Sequence, residues 1–407
     1  MKRILYISYD GMTDPLGQSQ VIPYLQGLSR LGYKFTILSF EKKDRFRKLE
    51  SRIRSLLEPA GIDWEPLWFT SKPPLLSKFY DAIKMRHTAL KLQRKHQFDL
   101  VHCRSYPSSD NGLLLKRRFG VKFLFDMRGF WADEKKDGGS WDTRNLIFRQ
   151  VYRHYKRKEA QLVREADAII SLTHAGKTEM ESWESYTQSS PADVIPCCAD
   201  MDHFSLRTPR QKEEGRQILG IEANRPVLGY LGSLGSWYML DEMLDFFRVF
   251  KEMYPGALFL FITHSDPAMV YGKLEKFNLS ETDVRIVSAE RDQVPVYAKA
   301  ADFSISFIKP VYSKMSSSPT KLGELLAMGI PVIVNRGVGD VEQVVNAVEG
   351  GFVIDDFQEP EYRRAMDQLP ALLAKDPAVI RDRAKKYYSL EEGILRYAAV
   401  YQKLLGQ

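Results

Sequence analysis

Cysteine is scarce in this sequence. Three cysteines occur in 407 residues, with Cys197 and Cys198 adjacent and Cys103 alone. Both a disulfide framework and a cysteine-based zinc site are excluded, because each needs several cysteines at short, regular spacing. Scarce cysteine is typical of proteins kept in a reducing compartment, so we expect a cytosolic protein.

Long apolar runs and metal-ligand clusters are also lacking. No segment approaches the ~20 apolar residues of a membrane span, and the N-terminal strand at 3–9 is too short and polar for a signal peptide. The seven histidines show no ligand spacing and no visible partner. Asp200 and Asp202 are interpreted as structural. We therefore predict no metal and, with no DNA or RNA motif present, no nucleic-acid partner.

Charge is unevenly distributed along the chain. Residues 1–190 hold 34 Lys+Arg against 22 Asp+Glu, a net charge of +12, while the remainder carries −5 of the total +7. The basic excess concentrates in predicted helices, at 42–54, 84–95, 116–122 and 149–158. Basic, partly amphipathic helices fit an anionic surface, either a membrane or a phosphorylated ligand, and fit well-solvated helix faces equally well.

Short apolar strands alternate with helical patterns through the whole chain. Such alternation predicts an α/β protein whose parallel sheets have helices on both faces. The pattern restarts after a polar join, which predicts two Rossmann-like domains at 1–190 and 211–388 with a linker at 191–210. The expected strands are 3–9, 34–40, 63–69, 99–103, 122–127, 167–173, 193–196, 226–231, 257–263, 284–288, 302–307, 330–334 and 351–354.

The segment 316–334 indicates a loop, a helix, a tight turn and a buried strand. Ser318 is predicted as the helix N-cap, Pro319 as the first helical residue and Gly329 as the left-handed residue that ends the helix. Lys321 and Glu324 are expected on the exposed side. Free amides and the helix dipole favour an anion at this N-terminus. The alternative is an ordinary capped helix with a solvated Lys–Glu pair.

Three loops follow predicted strands at the edge where parallel sheets bind ligands. The loop at 10–19 lacks G-x-G-x-x-G, and we interpret it either as a flexible, glycine-containing loop that approaches a phosphate or as an ordinary, if long, turn between a strand and a helix. The loop at 232–236 consists of small residues that allow close approach of a ligand. The loop at 126–134 combines Arg128 with two aromatic and three acidic residues, which suits recognition of an anion or a sugar ring.

These segments together resemble the retaining nucleotide-sugar glycosyltransferases of family 4. Residues 318–334 resemble the signature helix of that family, and 194–204 resemble its domain-joining "IPNGVD…F" segment. The resemblance implies the GT-B fold, an α/β architecture in which two Rossmann-like domains have parallel sheets facing a central cleft. The segment 389–407 is then the helix that crosses back to the first domain.

The sequence departs from the family pattern at two places. The family carries Glu-x7-Glu, and Glu324 matches the second glutamate while Ser316 occupies the position of the first. Ser233 stands where many members have an arginine, and Trp237-Tyr238 occupy the region of a lysine. The charge that neutralises the donor diphosphate is therefore expected from Lys321, Lys314 or Lys309.

The resemblance implies roles for individual residues. Glu324 is expected on the donor ribose, and Lys321 with nearby amides on the diphosphate. The implied catalytic residues are Arg128, Lys321 and Glu324. The implied nucleotide-sugar-binding residues are Gly17, Ser233, Ser236, Ser288, Ala289, Ser317, Ser318, Thr320, Lys321, Leu322 and Glu324. The implied acceptor-binding residues are Arg128, Trp131, Asp133 and Glu134.

The implied activity is transfer, with retention, of a hexosyl or N-acetylhexosaminyl group from a nucleoside-diphosphate sugar, with UDP-sugars favoured. The expected acceptor is a glycan or a lipid-diphosphate-linked glycan in cell-surface polysaccharide synthesis. No cofactor or metal is expected, and the basic first domain is expected to meet the inner face of the cell membrane. Alternatives are a nucleotide-sugar 2-epimerase of the same fold and an inactive nucleotide-sugar-binding module.

Overall fold

The computed structural model describes residues 1–406, apart from the side chains of 74–76, and divides into two compact units. The first unit comprises Met1–Pro196 and Leu390–Gln407, and the second comprises Cys197–Ser389. Each unit is a parallel sheet with helices on both faces, which confirms the predicted fold class.

The first unit contains a seven-stranded sheet. Its strands are β1 (Lys2–Ser8), β2 (Tyr33–Glu41), β3 (Asp63–Trp68), β4 (Leu100–Arg104), β5 (Lys122–Asp126), β6 (Ala168–Ser171) and β7 (Ala192–Val194). The order is β3-β2-β1-β4-β5-β6-β7, with Ile4 of β1 opposite Phe35 of β2 and Leu100 of β4. All five residues of β4 are buried, as expected for a strand covered on both faces.

Nine helices surround this sheet in the described part of the first unit. They are α1 (Pro15–Gln20), α2 (Ile22–Arg30), α3 (Lys43–Leu57), α4 (Pro74–His96), α5 (Ser105–Phe119), α6 (Trp131–Asp137), α7 (Leu146–Glu165), α8 (His174–Glu181) and the C-terminal α17 (Leu390–Leu405). Right-handed crossovers place α4, α5 and α7 on one face, where α5 contacts both neighbours. On the other face, α17 packs against α2.

The second unit contains a six-stranded sheet. Its strands are β8 (Val227–Leu231), β9 (Leu258–Ile262), β10 (Val284–Val287), β11 (Phe303–Ser306), β12 (Val332–Asn335) and β13 (Gly351–Ile354), in the order β10-β9-β8-β11-β12-β13. The helices are α9 (Pro209–Ile218), α10 (Leu240–Met253), α11 (Ala268–Tyr271), α12 (Val294–Ala298), α13 (Thr320–Ala327), α14 (Val341–Val348), α15 (Glu359–Leu373) and α16 (Pro377–Tyr388).

Each sheet reverses its strand order once, between β1 and β4 in the first unit and between β8 and β11 in the second. Ligands of doubly wound sheets bind beyond the carboxyl ends of the strands at such a reversal. A ligand is therefore expected after Ser8 and Arg104 in the first unit, or after Leu231 and Ser306 in the second. Among the described helices, none has the length and apolarity required to cross a bilayer.

Candidate functional site

The helix α13 begins at Thr320, one residue later than the sequence predicts. Pro319 is the N-cap and no side chain caps the helix, so the prediction that Ser318 caps it is wrong. The Ser318 hydroxyl instead accepts a hydrogen bond from the amide of Cys197 at 3.1 Å. Gly329 has φ +70°, which confirms the left-handed residue after the helix.

The first turn of α13 lies beside the end of β8. Lys321 is only 7% exposed, so the prediction of an exposed lysine is wrong. Its Nζ lies 4.4 Å from the ring centre of Tyr230 and 3.8 Å from that of Tyr238, and donates to the Tyr230 hydroxyl at 3.2 Å. Burial lowers the pKa of Lys321 to about 7. The lysine is therefore poised to gain or lose its proton near neutrality.

Gly232 makes this approach of Lys321 to β8 possible. It has φ +128°, and a Cβ built on it would lie 3.0 Å from Lys321 Nζ. Gly232 follows β8 at the strand reversal of the second sheet. The structure thus places the lysine ammonium at the point where the fold favours a ligand.

Glu324 lies one turn further along α13. Burial raises its pKa to about 7, against the opposing charges of Arg291 and Lys321. In the described structure, the amides of Thr320 and Lys321 have no backbone acceptor, whereas that of Leu322 donates to Pro319 at 3.0 Å. Leu322 also packs in the core, so the structure does not support its predicted contact with the nucleotide.

The residues before α13 form a 3-10 turn at Tyr312–Ser316. The Ser316 hydroxyl donates to the Ser313 carbonyl at 3.0 Å, and the Ser317 amide donates to the Lys314 carbonyl at 3.1 Å. The Ser317 amide is therefore bonded within this turn, and its contact with the donor stays a prediction. The Lys314 ammonium lies 3.9 Å from the ring centre of Trp237. Both lysines near this helix terminus are therefore held on aromatic rings of 230–238.

The remaining predicted donor residues follow β8 and β10. Ser233 and Ser236 are exposed, and the Ser233 carbonyl accepts from the Tyr230 hydroxyl at 2.6 Å. Ser288 is exposed and bonds His264 Nδ1 at 2.6 Å, while Ala289 is buried in the core. Ser288 therefore lies at the surface after β10, whereas the Ala289 side chain faces inward.

Two histidines have partners that the sequence did not reveal. His264 has Ser288, as above, and His203 Nε2 lies 3.1 Å from the Arg291 carbonyl. Burial lowers the pKa of His203. The partners lie 24 and 88 residues away in sequence, so local spacing carried no signal for either pair.

In the first unit, Arg128 follows β5, the neighbour of β4, with φ +57° and is nearly buried. Its Nη1 lies 3.9 Å from Asp126 Oδ1. Burial acts to raise the pKa of Asp126, but Arg128 and a hydrogen bond with His102 outweigh it and hold that pKa below its usual value. Arg128 is thus anchored at the strand end by a buried carboxylate.

Sequence reasoning missed the residues that surround this pair. Arg104 ends β4, is 4% exposed, and lies 3.5 Å from Asp10 through Nε. Burial lowers the pKa of His102, which bonds Tyr401 at 2.7 Å, and Tyr397 donates to Asp126 at 3.1 Å. Both tyrosines come from α17. The one available signal was an arginine and a histidine inside an otherwise apolar strand.

The predicted acceptor residue Asp133 is occupied elsewhere. It is buried and accepts from Tyr152 at 2.6 Å and Lys156 at 2.9 Å, so the prediction that it contacts an acceptor is not supported. Trp131 and Glu134 are half-buried in α6, a helix that the sequence did not predict. The Trp131 ring lies edge-on to Tyr155 at 4.8 Å.

The loop at 10–19 is ordered by an unforeseen carboxylate. Glu41 is buried and accepts from the amides of Met12 and Thr13 at 2.7 and 3.1 Å and from the Thr13 hydroxyl at 2.6 Å. Gly17 lies in α1, where a Cβ would be 2.2 Å from the Gly11 carbonyl oxygen. The backbone of this loop is therefore bonded to Glu41, and the absence of a side chain at Gly17 permits its close packing on Gly11.

In the part of the chain that the structure describes, no group of three His, Cys, Asp or Glu side chains could hold a metal. Asp200 Oδ1 accepts from the amides of Asp202 and His203 at 3.0 and 3.1 Å. This is a local turn, in agreement with the structural interpretation of Asp200.

Sequence similarity to known proteins indicates the family to which the chain is related. Residues 20–203 match the family model described as Glycosyltransferase Family 4. The chain is 23% identical over 294 residues to a D-inositol 3-phosphate glycosyltransferase of Corynebacterium urealyticum and 24% over 282 residues to that of Corynebacterium jeikeium. These matches cover 69% and 67% of this chain, which spans 66% and 64% of the length of the two relatives.

Two solved structures indicate the fold of the chain. A sucrose-phosphate synthase from Thermosynechococcus elongatus superposes with a TM-score of 0.70 at 16% identity, over 100% of both chains. Anabaena HepE in complex with UDP-glucose also gives a TM-score of 0.70 at 16% identity, over 99% of this chain and 100% of that one. At such identities the likeness concerns the fold, and it confirms the expected GT-B fold.

Proposed function

Because the chain is of the family 4 type of glycosyltransferases, we propose that it transfers a sugar, with retention, from a nucleoside-diphosphate sugar to a hydroxyl acceptor. The proposed donor is a UDP-sugar, and the proposed acceptor is a glycan or a lipid-diphosphate-linked glycan of the cell surface. No metal or cofactor is required in this proposal. The Anabaena protein of similar fold, which was solved with UDP-glucose, supports the choice of donor.

One observation carries the proposal: the buried Lys321 ammonium at the end of β8, beside two amides of α13 that have no backbone acceptor. A diphosphate at this position meets one full positive charge, two N–H donors and the positive end of a helix dipole. Glu324, one turn away, is then suited to accept hydrogen bonds from the ribose hydroxyls. The glycine fingerprint of a dinucleotide site is missing from the sequence.

The proposed chemistry depends on charge stabilisation more than on acid–base catalysis. The bond between the anomeric carbon and the diphosphate breaks while the acceptor hydroxyl attacks the same face of the sugar. The acceptor proton passes to the departing diphosphate. Lys321 and the amides of α13 stabilise the negative charge that grows on the leaving group, and such stabilisation is commonly the largest contribution to catalysis.

The test is a panel of UDP-, GDP- and ADP-sugars with glycans, lipid-diphosphate glycans and D-inositol 3-phosphate as acceptors, followed by mass spectrometry. The inositol phosphate is included because the relatives carry its name. Release of nucleoside diphosphate with a glycosylated product is expected, and the anomeric configuration of the product reports retention. Binding of a donor without turnover across the panel would contradict the proposal and favour an inactive binding module.

A further inference from the structure

Six large apolar side chains stand in solvent on two helices of the first unit. Phe79 is 72% exposed and Ile83 64% exposed on α4, and Ile147 is 69% exposed at the start of α7. We call these residues, with the exposed Tyr80, Leu146 and Phe148, the apolar patch. Single exposed apolar residues are ordinary, whereas several on one side of a domain mark an interaction surface.

Both halves of the apolar patch lie toward the carboxyl edge of the same sheet. The Lys78 ammonium, beside Phe79 in sequence, bonds the hydroxyl of Tyr9, which directly follows β1. Tyr155 of α7 packs on Trp131, which lies beyond the end of β5. Leu146 lies nine residues before Tyr155, so about 13 Å of helix extends past that contact. Because α4 and α7 flank α5 on one face, the two halves share a side of the unit.

Exposed basic residues outnumber exposed acidic residues around the apolar patch, where Asp142 and Asp110 are paired with Arg144 and Lys158. Lys78, Arg86, Lys91, Arg94 and Lys95 are exposed on α4, and Arg149, Arg153 and Arg157 are exposed on α7. The single acidic residue of α4, Asp81, is buried, and those of α7 lie toward its C-terminal end, at Glu159 and Glu165. Exposed aromatic and aliphatic side chains flanked by cations suit a surface in which anionic headgroups cover an apolar interior.

We propose that the apolar patch and its ring of cations dock the protein on an anionic lipid bilayer, with Phe79, Ile83 and Ile147 entering the interface. The inference deepens the proposed function, because it rests on an acceptor that is lipid-linked and supplies the surface that reaches it. The excess of positive charge favours phospholipid headgroups over a protein partner of mixed charge.

The test is flotation of the full chain with vesicles of phosphatidylcholine, alone or mixed with phosphatidylglycerol. Flotation is expected with the anionic vesicles and is expected to weaken as salt rises. The double variant Arg149→Gln/Arg153→Gln should bind about fivefold more weakly for each cation removed. Phe79→Ser/Ile83→Ser should reduce binding by about tenfold or more, since two apolar side chains no longer leave water.

Matched controls lie on the opposite face of the same unit. Leu395→Ser on α17 and Lys43→Gln/Arg47→Gln on α3 remove exposed groups of the same kinds and should leave flotation unchanged. Equal losses in the controls, or no flotation of the native chain, would overturn the inference. The inference would also be overturned if patch variants abolished self-association in sedimentation and left flotation intact, because the patch would then bind a second copy of the chain. Donor binding in vesicle-free solution is measured on every variant, so a failure of the docking surface and a failure of the proposed function are distinguished.

Discussion

At the scale of single residues, Lys321 and Glu324 are the groups whose chemistry depends most on burial. Each has its pKa moved to about 7, downward for the lysine and upward for the glutamate, because burial disfavours the charged form of both. Shifts of this size on adjacent turns of a helix are typical of functional sites. An arriving diphosphate would stabilise the charged lysine.

We therefore predict that affinity for UDP falls as pH rises above about 7. In the free protein, the pKa of Lys321 is about 7, and a bound diphosphate raises that pKa. At a pH between the pKa of the free form and that of the bound form, Lys321 therefore takes up a proton when UDP binds. The affinity for UDP is then highest below the pKa of Lys321 in the free protein. Above that pKa, the affinity declines by up to about tenfold per pH unit. Isothermal titration in buffers of different ionisation heat measures both the affinity and the proton uptake.

The matched variants for this prediction are Lys321→Arg and Glu324→Gln. An arginine stays charged at all these pH values, so the decline and the proton uptake should vanish. Glu324→Gln removes the titration of the glutamate and should keep the decline. A decline that survives in Lys321→Arg would show that another group titrates.

Glu324 yields a second prediction. Glu324→Ala should reduce transfer at least about a hundredfold, because the ribose loses the hydrogen-bond acceptor that positions the donor. The thermal unfolding midpoint should stay within a few degrees of the native value. Glu324→Gln is the control and should recover part of the activity. Unchanged donor affinity and rate in Glu324→Ala would contradict the proposed ribose contact.

Residue-level inference from sequence succeeded where the partner was local. Helical spacing alone brought Lys321 and Glu324 to one helix terminus. Ser318 and Asp133 were misjudged because their partners are the amide of Cys197 and the ammonium of Lys156, which lie 121 and 23 residues away. No spacing rule reports such a contact.

At the scale of elements, the tight turn after α13 requires a glycine. Gly329 has φ +70°, and a Cβ there would lie 2.5 Å from the Pro377 carbonyl oxygen. The turn delivers β12 into the sheet and fixes the end of α13. Both the backbone conformation and the space thus exclude any side chain.

Gly329→Ala should destabilise the second unit by about 2 kcal/mol or more, since a left-handed alanine and a backbone clash both oppose the native turn. Gly235→Ala is the control, because a Cβ there meets nothing within 4 Å and φ is not left-handed. Urea unfolding followed by tryptophan fluorescence measures the difference. Equal stability of both variants would show that the turn relaxes without penalty.

Strand prediction was reliable because parallel strands buried on both faces form compact apolar runs bounded by turn residues. Helix prediction failed where local signals were short. Val21, with φ −124° and ψ −65°, separates the short helices α1 and α2. The residues of α6 had been interpreted as loop, since one polar turn after two aromatic residues shows no periodicity.

At the scale of the whole molecule, the chain returns to its first unit in its last helix. α17 packs on α2, and Gly27 of α2 leaves space for Ile394, whose Cδ1 would lie 2.2 Å from a Cβ at that position. Ser389 and Glu392 match a capping box, which predicts a helix at this place but not the surface that it covers. Only the resemblance to a family supplied that expectation.

The bonds from α17 lead to a prediction that separates the two units. Tyr401→Phe leaves the buried His102 without its partner at 2.7 Å, and should destabilise the first unit by about 1–3 kcal/mol. Hydrogen exchange followed by mass spectrometry should show faster exchange in β4 and β5 and unchanged exchange in β8 and β9. UDP affinity should stay the same, because Lys321 belongs to the second unit. Tyr271→Phe, at an exposed site on α11, is the control. Faster exchange in the strands of both units would show that they unfold together.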